Sequence, residues 1–518
     1  MLLIFPPVAK PGESPAGVAK LAGALKAHNI PCTILDANLE GLIWLLNARG
    51  DASDTWTRRA VKNSARNLAA LRDPRTYRTP DRYNRAVQDT NRVLFAASRE
   101  FGAIVNLADY QHEHWSPLRS ADLIAAAEDP EKNPFFLYFS ERLPKVFEQT
   151  LSQQRHQGEA HPAIGFSLNY LSQALCAFAM MGFIRKQFPG IRLILGGGLV
   201  TSWAQAPGWG KPFAGLVDHL VTGPGENALL TLLGVSDIKH DAALPDHCSL
   251  SVDSYLSPGF VLPYSASSGC YWRKCSFCPE TAEDNPYQAI PAPRALDDLK
   301  ELTTGLKPVL VHLLDNAVSP ALMRSFADRP LGVPWYGFAR ISRELLDLEY
   351  CHALKRSGCV MLKLGLESGA QRVLDALQKG IDLQTASRVL SNLRKAGIAT
   401  YVYLLFGTPA ESEEDAGKTL EFTVRHHDSI TFLNLAVFNM PVCAQEAGDH
   451  ASELFYDGDL SLYTGFRHPR GWDRKQVRRF LDAEFKRHPA VAAILKRDPP
   501  VFTSNHAAFF VEDFESRR

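Results

Sequence analysis

The chain has 518 residues, more than one hydrophobic core usually organises, so two or three domains are expected. Its composition, 46% hydrophobic and 22% charged, is that of an ordinary globular protein. Lys plus Arg and Asp plus Glu both total 56, so bulk charge favours neither a nucleic acid nor an anionic membrane as partner.

The amino-terminal stretch "MLLIFPPVAKPG" lacks a basic start and is broken at Pro6 and Pro7, so it predicts a buried strand rather than a signal segment. No stretch approaches the roughly 20 apolar residues of a membrane span. Nine cysteines, six of them scattered singly, do not resemble a secreted disulfide framework. These features together predict a reduced, cytoplasmic protein without a membrane partner.

Strand-like and helix-like segments alternate over residues 1–245. Continuous apolar strands between amphipathic helices indicate a parallel sheet covered on both faces. We therefore expect a doubly wound, Rossmann-like α/β domain whose ligand lies at the carboxyl ends of the strands. The predicted strands lie within residues 2–7, 31–38, 163–169, 192–198 and the start of 219–233.

Residues 42–160 interrupt this pattern as a helix-rich, arginine-rich insertion. Between Arg58 and Glu100 there are eleven Lys or Arg residues and four acidic ones. A solvated helical face accounts for such a basic segment. An insertion that helps to close the ligand site of the domain is the alternative interpretation.

A second alternation starts near residue 257 and predicts the domain at residues 246–440. Six βα units are too few for an eightfold barrel and suit an open, partial (β/α)6 barrel. After its first strand, "FVLPYSAS", the predicted strands lie within residues 309–315, 334–340, 360–368, 398–407 and 429–438. Residues 441–518 are expected to form a small α-rich region that covers the open barrel end. There His506 or Asn505 either contacts substrate or belongs to the surface.

Three cysteines lie within nine residues of "SSGCYWRKCSFCPE" (267–280), at the spacing C-x4-C-x2-C. A closed zinc site needs four ligands, and neither His247 nor His312 has a paired spacing with this loop. Cubane iron–sulfur clusters take one thiolate for each iron. Cys270, Cys275 and Cys278 would hold three irons and leave the fourth open, which is a catalytic arrangement.

This loop, with Phe277 just before its last cysteine, resembles that of the radical S-adenosylmethionine (SAM) enzymes. Three later segments resemble motifs of the same family in the same order: "HLLDNAVSP" (312–320), "LGLESGAQRVLDALQKG" (364–380) and "YLLFGTPAESEED" (403–415). The resemblance covers roughly residues 257–440.

The cysteine spacing departs from the family pattern. The usual loop is C-x3-C-x2-C, and this chain has one additional residue between the first two cysteines. The sequence leaves open whether Tyr271 or Trp272 bulges outward.

The resemblance implies a [4Fe–4S] cluster held by Cys270, Cys275 and Cys278, with SAM chelating the open iron. One electron from an external flavodoxin- or ferredoxin-type donor would cleave SAM to methionine and a 5′-deoxyadenosyl radical. The protein would supply orientation and exclude water. The implied SAM contacts are Phe277 with adenine, Glu367 and Ser368 with the ribose or the methionine amine, Arg340 with the carboxylate, Asp315 at a polar strand end, and Gly407 through close backbone approach.

The first domain lacks the dinucleotide fingerprint G-x-G-x-x-G after its first strand. It instead resembles the cobalamin-binding module that precedes many radical SAM domains, in "PPVAKPG", "ILDAN", "IGFSLNYLSQ", "LGGG" and "TGPGE". The motif D-x-H-x-x-G is absent, so cobalamin is expected to bind without a histidine ligand from this domain. A domain that no longer binds corrin is the alternative. The candidate contacts are Pro6, Ser167, Leu168, Gly196, Gly197, Gly198, Thr222, Gly223, Gly225 and Glu226, the last of which could instead be a helix-start carboxylate.

These features together predict a cobalamin-dependent radical SAM enzyme, a methyltransferase acting on an unactivated carbon of a small-molecule metabolite. A non-methylating enzyme (cyclisation, rearrangement or oxidation) and a non-catalytic metal-binding regulator are the alternatives. A methylthio transferase acting on RNA would need a second cysteine set in the first domain. The remaining cysteines are expected to be buried apolar residues: Cys32, Cys176, Cys248, Cys351, Cys359 and Cys443.

Overall fold

The computed structural model describes residues 1–48, 54–155, 162–238, 243–447, 458–499 and 506–511. The chain divides into two compact units, the first mainly residues 1–260 and the second mainly the described residues from 261 onward. No helix in the described ranges is both long and apolar enough to cross a membrane.

The first unit contains a five-stranded, wholly parallel sheet in the order β2-β1-β5-β6-β7. Ile4 on β1 aligns with Leu35 of β2 on one side and with Phe166 of β5 on the other. This confirms the predicted doubly wound arrangement. The strands of this unit are β1 Leu2–Phe5, β2 Thr33–Asp36, the separate antiparallel pair β3 Ala103–Val105 and β4 Tyr110–His112, β5 Ala163–Ser167, β6 Arg192–Gly196 and β7 His219–Val221.

The helices of the first unit are α1 Ala16–Ala27, α2 Ala37–Asn47, α3 Thr55–Lys62, α4 Ser64–Arg72, α5 Pro74–Tyr77, α6 Pro80–Ser98, α7 Ser120–Glu128, α8 Phe136–Arg155, α9 Leu171–Gln187, α10 Gly198–Gln205 and α11 Gly225–Leu232. In a β-strand, every second side chain points to the same face of the sheet. One face of the parallel sheet is covered by α1 and α11. On that face Leu3 and Ile194 pack with Val18 of α1 and Leu229 of α11. Burying this apolar surface is the main force that holds the helices to the sheet.

The insertion forms helices that pack within the first unit. A Cβ at Gly182 of α9 would lie 1.8 Å from the Ala127 carbonyl oxygen, so α7 and α9 touch backbone to backbone. Several of its arginines are engaged: Arg92 pairs with Asp54 at 2.6 Å, and the Arg72 guanidinium donates to the Ser254 carbonyl. The basic segment is therefore partly structural.

The second unit contains a six-stranded parallel sheet in the order β15-β14-β13-β12-β11-β8. The prediction of six barrel strands in place of eight is confirmed. The strands of this unit are β8 Val261–Tyr264, β9 Ser267–Ser268, β10 Gln288–Ala289, β11 Leu310–Leu313, β12 Trp335–Ala339, β13 Cys359–Glu367, β14 Ala399–Phe406, β15 Phe432–Val437, β16 Met440–Pro441 and β17 Tyr463–Thr464.

The helices of the second unit are α12 Pro279–Ala282, α13 Ala292–Leu306, α14 Pro320–Asp328, α15 Leu348–Arg356, α16 Gln371–Ala376, α17 Leu383–Lys395, α18 Glu413–Arg425, α19 Arg474–Phe480 and α20 Pro489–Leu495. A π-helical turn, Leu481–Phe485, continues α19, and a 3₁₀ turn spans His506–Phe510.

The last described residues close the amino-terminal end of the barrel. Ala507 packs among the first residues of the strands, including Val261 and Phe432. His506 is 3% exposed, and its ring lies 4.6 Å from that of Tyr401. This is the end opposite the carboxyl ends of the strands, and His506 is buried. Both expectations for His506, a substrate contact at the open barrel end and a surface position, are therefore wrong. Asn505 lies outside the described residues.

Three of the six scattered cysteines, Cys176, Cys351 and Cys359, are buried as expected. Cys248 is exposed, and its peptide N–H donates to Asp246 in a surface turn. For Cys248 the prediction of an apolar buried residue is wrong.

Candidate active site

The cysteine loop leaves the carboxyl end of β8, and its base is closed by the antiparallel pair β9–β10. Gly269, directly before the first cysteine, has a φ of +69°. A Cβ at this position would lie 2.5 Å from the Pro286 carbonyl oxygen. Both the backbone conformation and the close approach require glycine here.

Asp315 follows β11 and is only 2% exposed. Its carboxylate accepts hydrogen bonds from the Ala266 peptide N–H, at 3.2 Å, and from the Ser267 hydroxyl. Burial raises the pKa of this carboxyl, and these hydrogen bonds oppose the rise. Asp315 therefore anchors the strand that leads into the cysteine loop.

Three consecutive backbone carbonyls that follow α16 accept hydrogen bonds from the cysteine loop and from Arg340. Leu377 accepts from the Ser276 peptide N–H at 3.2 Å, Gln378 accepts from the Trp272 indole N–H at 3.0 Å, and Lys379 accepts from the Arg340 guanidinium. The last carbonyls of a helix lack partners within the helix, so they are available for such bonds. One turn, residues 377–380, thus positions both the loop and Arg340.

The additional loop residue is accommodated by a left-handed backbone at Arg273, with a φ of +46°. Trp272 turns toward the 377–380 turn, where a Cβ on Gly380 would lie 2.2 Å from its ring. The Arg340 guanidinium carbon lies 4.0 Å from the Trp272 ring centroid, a cation–π distance. Neither Tyr271 nor Trp272 bulges outward: the Tyr271 ring packs edge to face with that of Tyr287 at 6.2 Å, and Trp272 docks on the turn. Of these three consecutive residues the exposed one is Arg273, which reaches Asp284 at 2.6 Å.

The thiols are chemically suited to a cluster. Burial raises the pKa of Cys278 to about 11 and raises that of Cys275, where Lys379 and Arg340 act in the opposite direction. Iron binding would deprotonate these thiols. Within the described ranges, no three or more His, Cys, Asp or Glu side chains converge on a point that one metal ion could occupy. The three thiols of this loop can supply one thiolate to each of three irons, so the chemistry of the donor set fits a cluster.

A buried ion pair lies beside the loop. The Lys379 ammonium is 2.8 Å from the Glu367 carboxylate, and both side chains are 11% exposed. Glu367 has a φ of +67° at a bulge between β13 and β14. The ammonium is also 5.4 Å from the Phe277 ring centroid. Lys379 belongs to the segment 364–380, which resembles a family motif, but the sequence assigned it no role. The available signal was its position directly before Gly380, the glycine that ends this motif.

The other predicted SAM contacts are placed as follows. Ser368 is fully buried, and its hydroxyl lies 3.2 Å from that of Thr419. The Phe277 ring packs with Val373 of α16 and its neighbours. Gly407 has a φ of +79°, and its peptide N–H donates to Glu411. The structure thus brings Arg340, Glu367 and Phe277 to the 377–380 turn, whereas the side chains of Ser368 and Asp315 are committed to internal hydrogen bonds.

In the first unit, the sheet order places a topological switch point between β1 and β5, where open α/β sheets bind ligands. Pro6 follows β1, and Ser167 is the last residue of β5. The buried Gln173 joins their loops, because its amide donates to the Pro6 carbonyl at 2.7 Å and accepts from the Asn169 peptide N–H at 2.9 Å. Gln173 was missed because its role depends on a contact across 167 residues.

The glycines at this edge have two distinct roles. A Cβ on Gly197 would lie 2.3 Å from the Leu168 carbonyl oxygen, so the Gly196–Gly198 turn is required for packing. A Cβ on Gly223 would meet nothing within 4 Å, and the Gly223 peptide N–H is fixed by the Thr201 hydroxyl at 2.9 Å. Gly223 therefore leaves open, ordered backbone that a flat ligand can approach, which fits a corrin.

The remaining predicted cobalamin contacts differ in whether their side chains are available to a ligand. The side chains of Ser167 and Leu168 are buried, and Glu226 pairs with Lys20 at 2.6 Å. Asn169 links the β5 and β6 loops, donating to the Ser167 hydroxyl and accepting from the Gly198 peptide N–H, both at 3.0 Å. The described loops at this edge contain no histidine, so a corrin bound there would have no histidine ligand from them.

Residues 264–423 match the family model of the radical SAM superfamily, so this segment is a radical SAM domain. The bacteriochlorophyllide d C-12(1)-methyltransferase of Chlorobaculum tepidum is 30% identical over 175 residues, covering 32% of this chain and 38% of that protein. The anaerobic magnesium-protoporphyrin IX monomethyl ester cyclase of Rubrivivax gelatinosus is 23% identical over 243 residues, covering 43% and 42%. The chain thus spans about two fifths of the length of these relatives.

The likeness of fold is broader. The structure of the radical SAM methyltransferase TsrM from Kitasatospora setae, with a tryptophan substrate and a SAM analogue bound, aligns with a TM-score of 0.54 at 14% identity. The alignment covers 96% of this chain and 89% of that chain. The predicted fold, a doubly wound domain followed by a partial radical SAM barrel, is confirmed.

Proposed function

Since residues 264–423 are a radical SAM domain, we propose that the protein is a cobalamin-dependent radical SAM enzyme that methylates a carbon of a small molecule. The observation that carries this proposal is the docking of a three-cysteine loop, with no fourth cysteine, onto the 377–380 turn. When bound, a [4Fe–4S] cluster and SAM supply reductive cleavage of SAM, and cobalamin supplies methyl transfer.

The side chains around the loop have separable tasks in this proposal. Cys270, Cys275 and Cys278 hold the cluster. Arg340, fixed by the Lys379 carbonyl and the Trp272 ring, presents a cation for the SAM carboxylate. The Glu367–Lys379 pair offers a carboxylate oxygen and an ammonium to the amine or ribose of SAM.

In the first unit the switch-point edge would hold cobalamin. Asn169 and the exposed Thr222 supply polar groups, and Gly223 supplies close backbone approach. Glu226 remains in its ion pair with Lys20, and it lies in the first turn of α11, where the helix dipole favours a carboxylate. The fold likeness to a methyltransferase solved with tryptophan supports a small-molecule substrate, and an external one-electron donor completes the reaction.

A non-methylating activity is the second candidate, because one of the relatives, similar over 243 residues, is a cyclase. The chemistry around the cluster would be the same for both, since SAM cleavage precedes the step that differs. Only the methylating enzyme forms S-adenosylhomocysteine from SAM.

The test is anaerobic reconstitution with iron, sulfide and hydroxocobalamin, followed by incubation with SAM, a strong reductant and extract metabolites. Mass analysis should detect 5′-deoxyadenosine, methionine and S-adenosylhomocysteine, together with a product 14 mass units heavier than its substrate. Cys275→Ala should abolish 5′-deoxyadenosine. SAM cleavage without S-adenosylhomocysteine would favour the cyclase-type activity, and a reconstituted cluster that never cleaves SAM would refute both.

A further inference from the structure

A cavity of about 260 Å³ lies at the carboxyl ends of β14 and β15. Gly407 and Phe438, which follow these strands, form one side, and residues 464–475 form the other. Because all six barrel strands are parallel, this is the same end from which the cysteine loop leaves β8. The cavity is therefore on the reactive side of the barrel.

The wall formed by residues 464–475 is fixed by buried polar groups. His468 Nε2 lies 2.8 Å from the Thr408 carbonyl oxygen, and His468 Nδ1 accepts from the Trp472 peptide N–H at 3.2 Å. The Trp472 indole N–H donates to the Glu411 carboxyl at 3.0 Å. With both ring nitrogens engaged, His468 serves the wall, and the cavity is pre-formed as ligand sites usually are.

The apolar part of the lining is aromatic. Phe438 and Phe466 pack edge to face with centroids 5.6 Å apart, and Trp472 and Met440 complete this side. Such walls favour a flat apolar body. The volume equals that of roughly nine water molecules. A ring system with a short substituent fits into it.

Among the described residues of the lining, the charged side chains are net positive. Arg474 and Lys475 contribute two cations, and Asp473 contributes one carboxylate, which accepts from the Gln476 peptide N–H at 2.9 Å. Arg474 donates to the Asn439 amide oxygen at 2.5 Å, which fixes the guanidinium at the end of β15. A guanidinium forms strong, charge-assisted hydrogen bonds with a carboxylate.

We propose that this cavity is the substrate site and that it takes a small, flat, apolar molecule bearing a carboxylate, which Arg474 binds. This assignment rests on the proposed function, because a substrate site at this end of the barrel presupposes the radical chemistry there. It adds a chemical class of substrate and a residue that selects it.

The test is equilibrium binding of 2-naphthoate and of uncharged 2-naphthylmethanol to the reconstituted full-length protein. The acid should bind at least roughly tenfold more tightly than the alcohol, the effect of one charge-assisted contact. Arg474→Gln should weaken acid binding at least roughly tenfold and leave alcohol binding within about threefold. Arg478→Gln removes the same charge from an exposed position on the same helix and should change neither affinity.

Equal affinities for acid and alcohol, an unchanged affinity in Arg474→Gln, or no binding of naphthoate would each overturn the assignment. Arg474→Lys, which retains the charge, should restore most of the acid affinity and serves if Arg474→Gln does not fold. SAM cleavage measured on the same wild-type sample separates the two proposals. Cleavage without naphthoate binding refutes the substrate site alone, and naphthoate binding without cleavage refutes the proposed function.

Discussion

At the scale of single residues, the buried Glu367–Lys379 pair links β13 to the turn beneath the cysteine loop. Removing one partner from a buried pair leaves an uncompensated charge, which costs about 3 kcal/mol, whereas removing both costs much less. Lys379 is also a cation next to Cys275, so it stabilises negative charge on the cluster.

We therefore expect Lys379→Met to lower the free energy of unfolding by about 3 kcal/mol. Glu367→Gln/Lys379→Met should recover most of that loss. In the single variant the reduction potential of the cluster should become more negative, because the cation is absent and the Glu367 carboxylate remains. In the double variant, which removes both charges beside Cys275, the potential should shift less. Denaturant unfolding and spectroelectrochemical titration measure the two effects. A double variant as unstable as the single one would contradict this account of the pair.

Glu411 is a buried carboxyl whose pKa burial raises to about 7. Its Oε2 accepts from the Gly407 peptide N–H and the Trp472 indole, and its Oε1 has no hydrogen-bond partner among the described residues. The folded protein holds this proton to higher pH than the unfolded chain, whose carboxyl titrates near 4.5. The contribution of Glu411 to stability is therefore present at low pH and is lost as the pH rises toward 7.

Glu411→Gln keeps an acceptor for both donors and cannot ionise. Relative to wild type, its stability should increase between pH 5 and pH 8 by about 2 kcal/mol. Denaturant unfolding of both proteins at several pH values measures this difference, which also cancels other titrating groups. A difference that does not change with pH would show that Glu411 is charged throughout.

At the scale of elements, the 377–380 turn is the support on which the cysteine loop rests. The carbonyls of this turn accept three hydrogen bonds, and Trp272→Ala removes one of them. The same substitution removes the ring against which the Arg340 guanidinium packs. We expect SAM cleavage per bound cluster to fall roughly tenfold, as for a lost contact and a displaced cation. The rate of 5′-deoxyadenosine formation, normalised to iron content, measures it.

Trp56 provides a matched control in the first unit. Its indole N–H donates to Asp89 at 2.7 Å, and the Arg92 guanidinium lies 5.0 Å from its ring. Trp56→Ala should lower the melting temperature in a similar way without changing cleavage per cluster. If Trp272→Ala also leaves cleavage unchanged, the tryptophan is a structural residue only.

The sequence allowed the elements to be predicted well because each strand is a continuous apolar run, and burial on both faces requires this pattern. Arg340 was identifiable because it follows β12 directly, and the cysteines were identifiable because three of them lie within nine residues of one loop. Lys379, Gln173 and Arg474 were not assigned, since their roles arise from contacts between segments distant in sequence. Ser368 follows a strand as expected, but its hydroxyl bonds Thr419 of α18, a contact that no local pattern encodes.

At the scale of the whole molecule, the candidate residues for the two cofactors lie in different compact units. Replacing Cys270, Cys275 and Cys278 together by Ala should abolish iron binding and leave hydroxocobalamin binding within about threefold of wild type. Gly223→Trp, which fills open backbone at the switch-point edge, should do the reverse. Iron analysis and corrin absorbance after gel filtration measure both.

Loss of corrin binding in the triple cysteine variant, with its melting behaviour intact, would show that the cluster site contributes to the corrin site. Gly225→Ala is a milder companion to Gly223→Trp, because a Cβ there meets Leu21 at 3.2 Å inside the unit and not open space. It should therefore affect packing more than corrin binding.

The packing of Ala507 and Val511 against the amino-terminal ends of the barrel strands has a consequence for how the protein is made. Ala507 and Val511 complete a core whose other members belong to strands that end by Val437. While the ribosome is still adding the intervening residues, that apolar surface faces water, and a nascent chain with exposed apolar surface is prone to aggregation. We therefore expect the barrel to accept its cluster only after residues 506–511 have been synthesised, and a chaperone that shields the unfinished barrel during translation should raise the yield of protein able to accept its cluster.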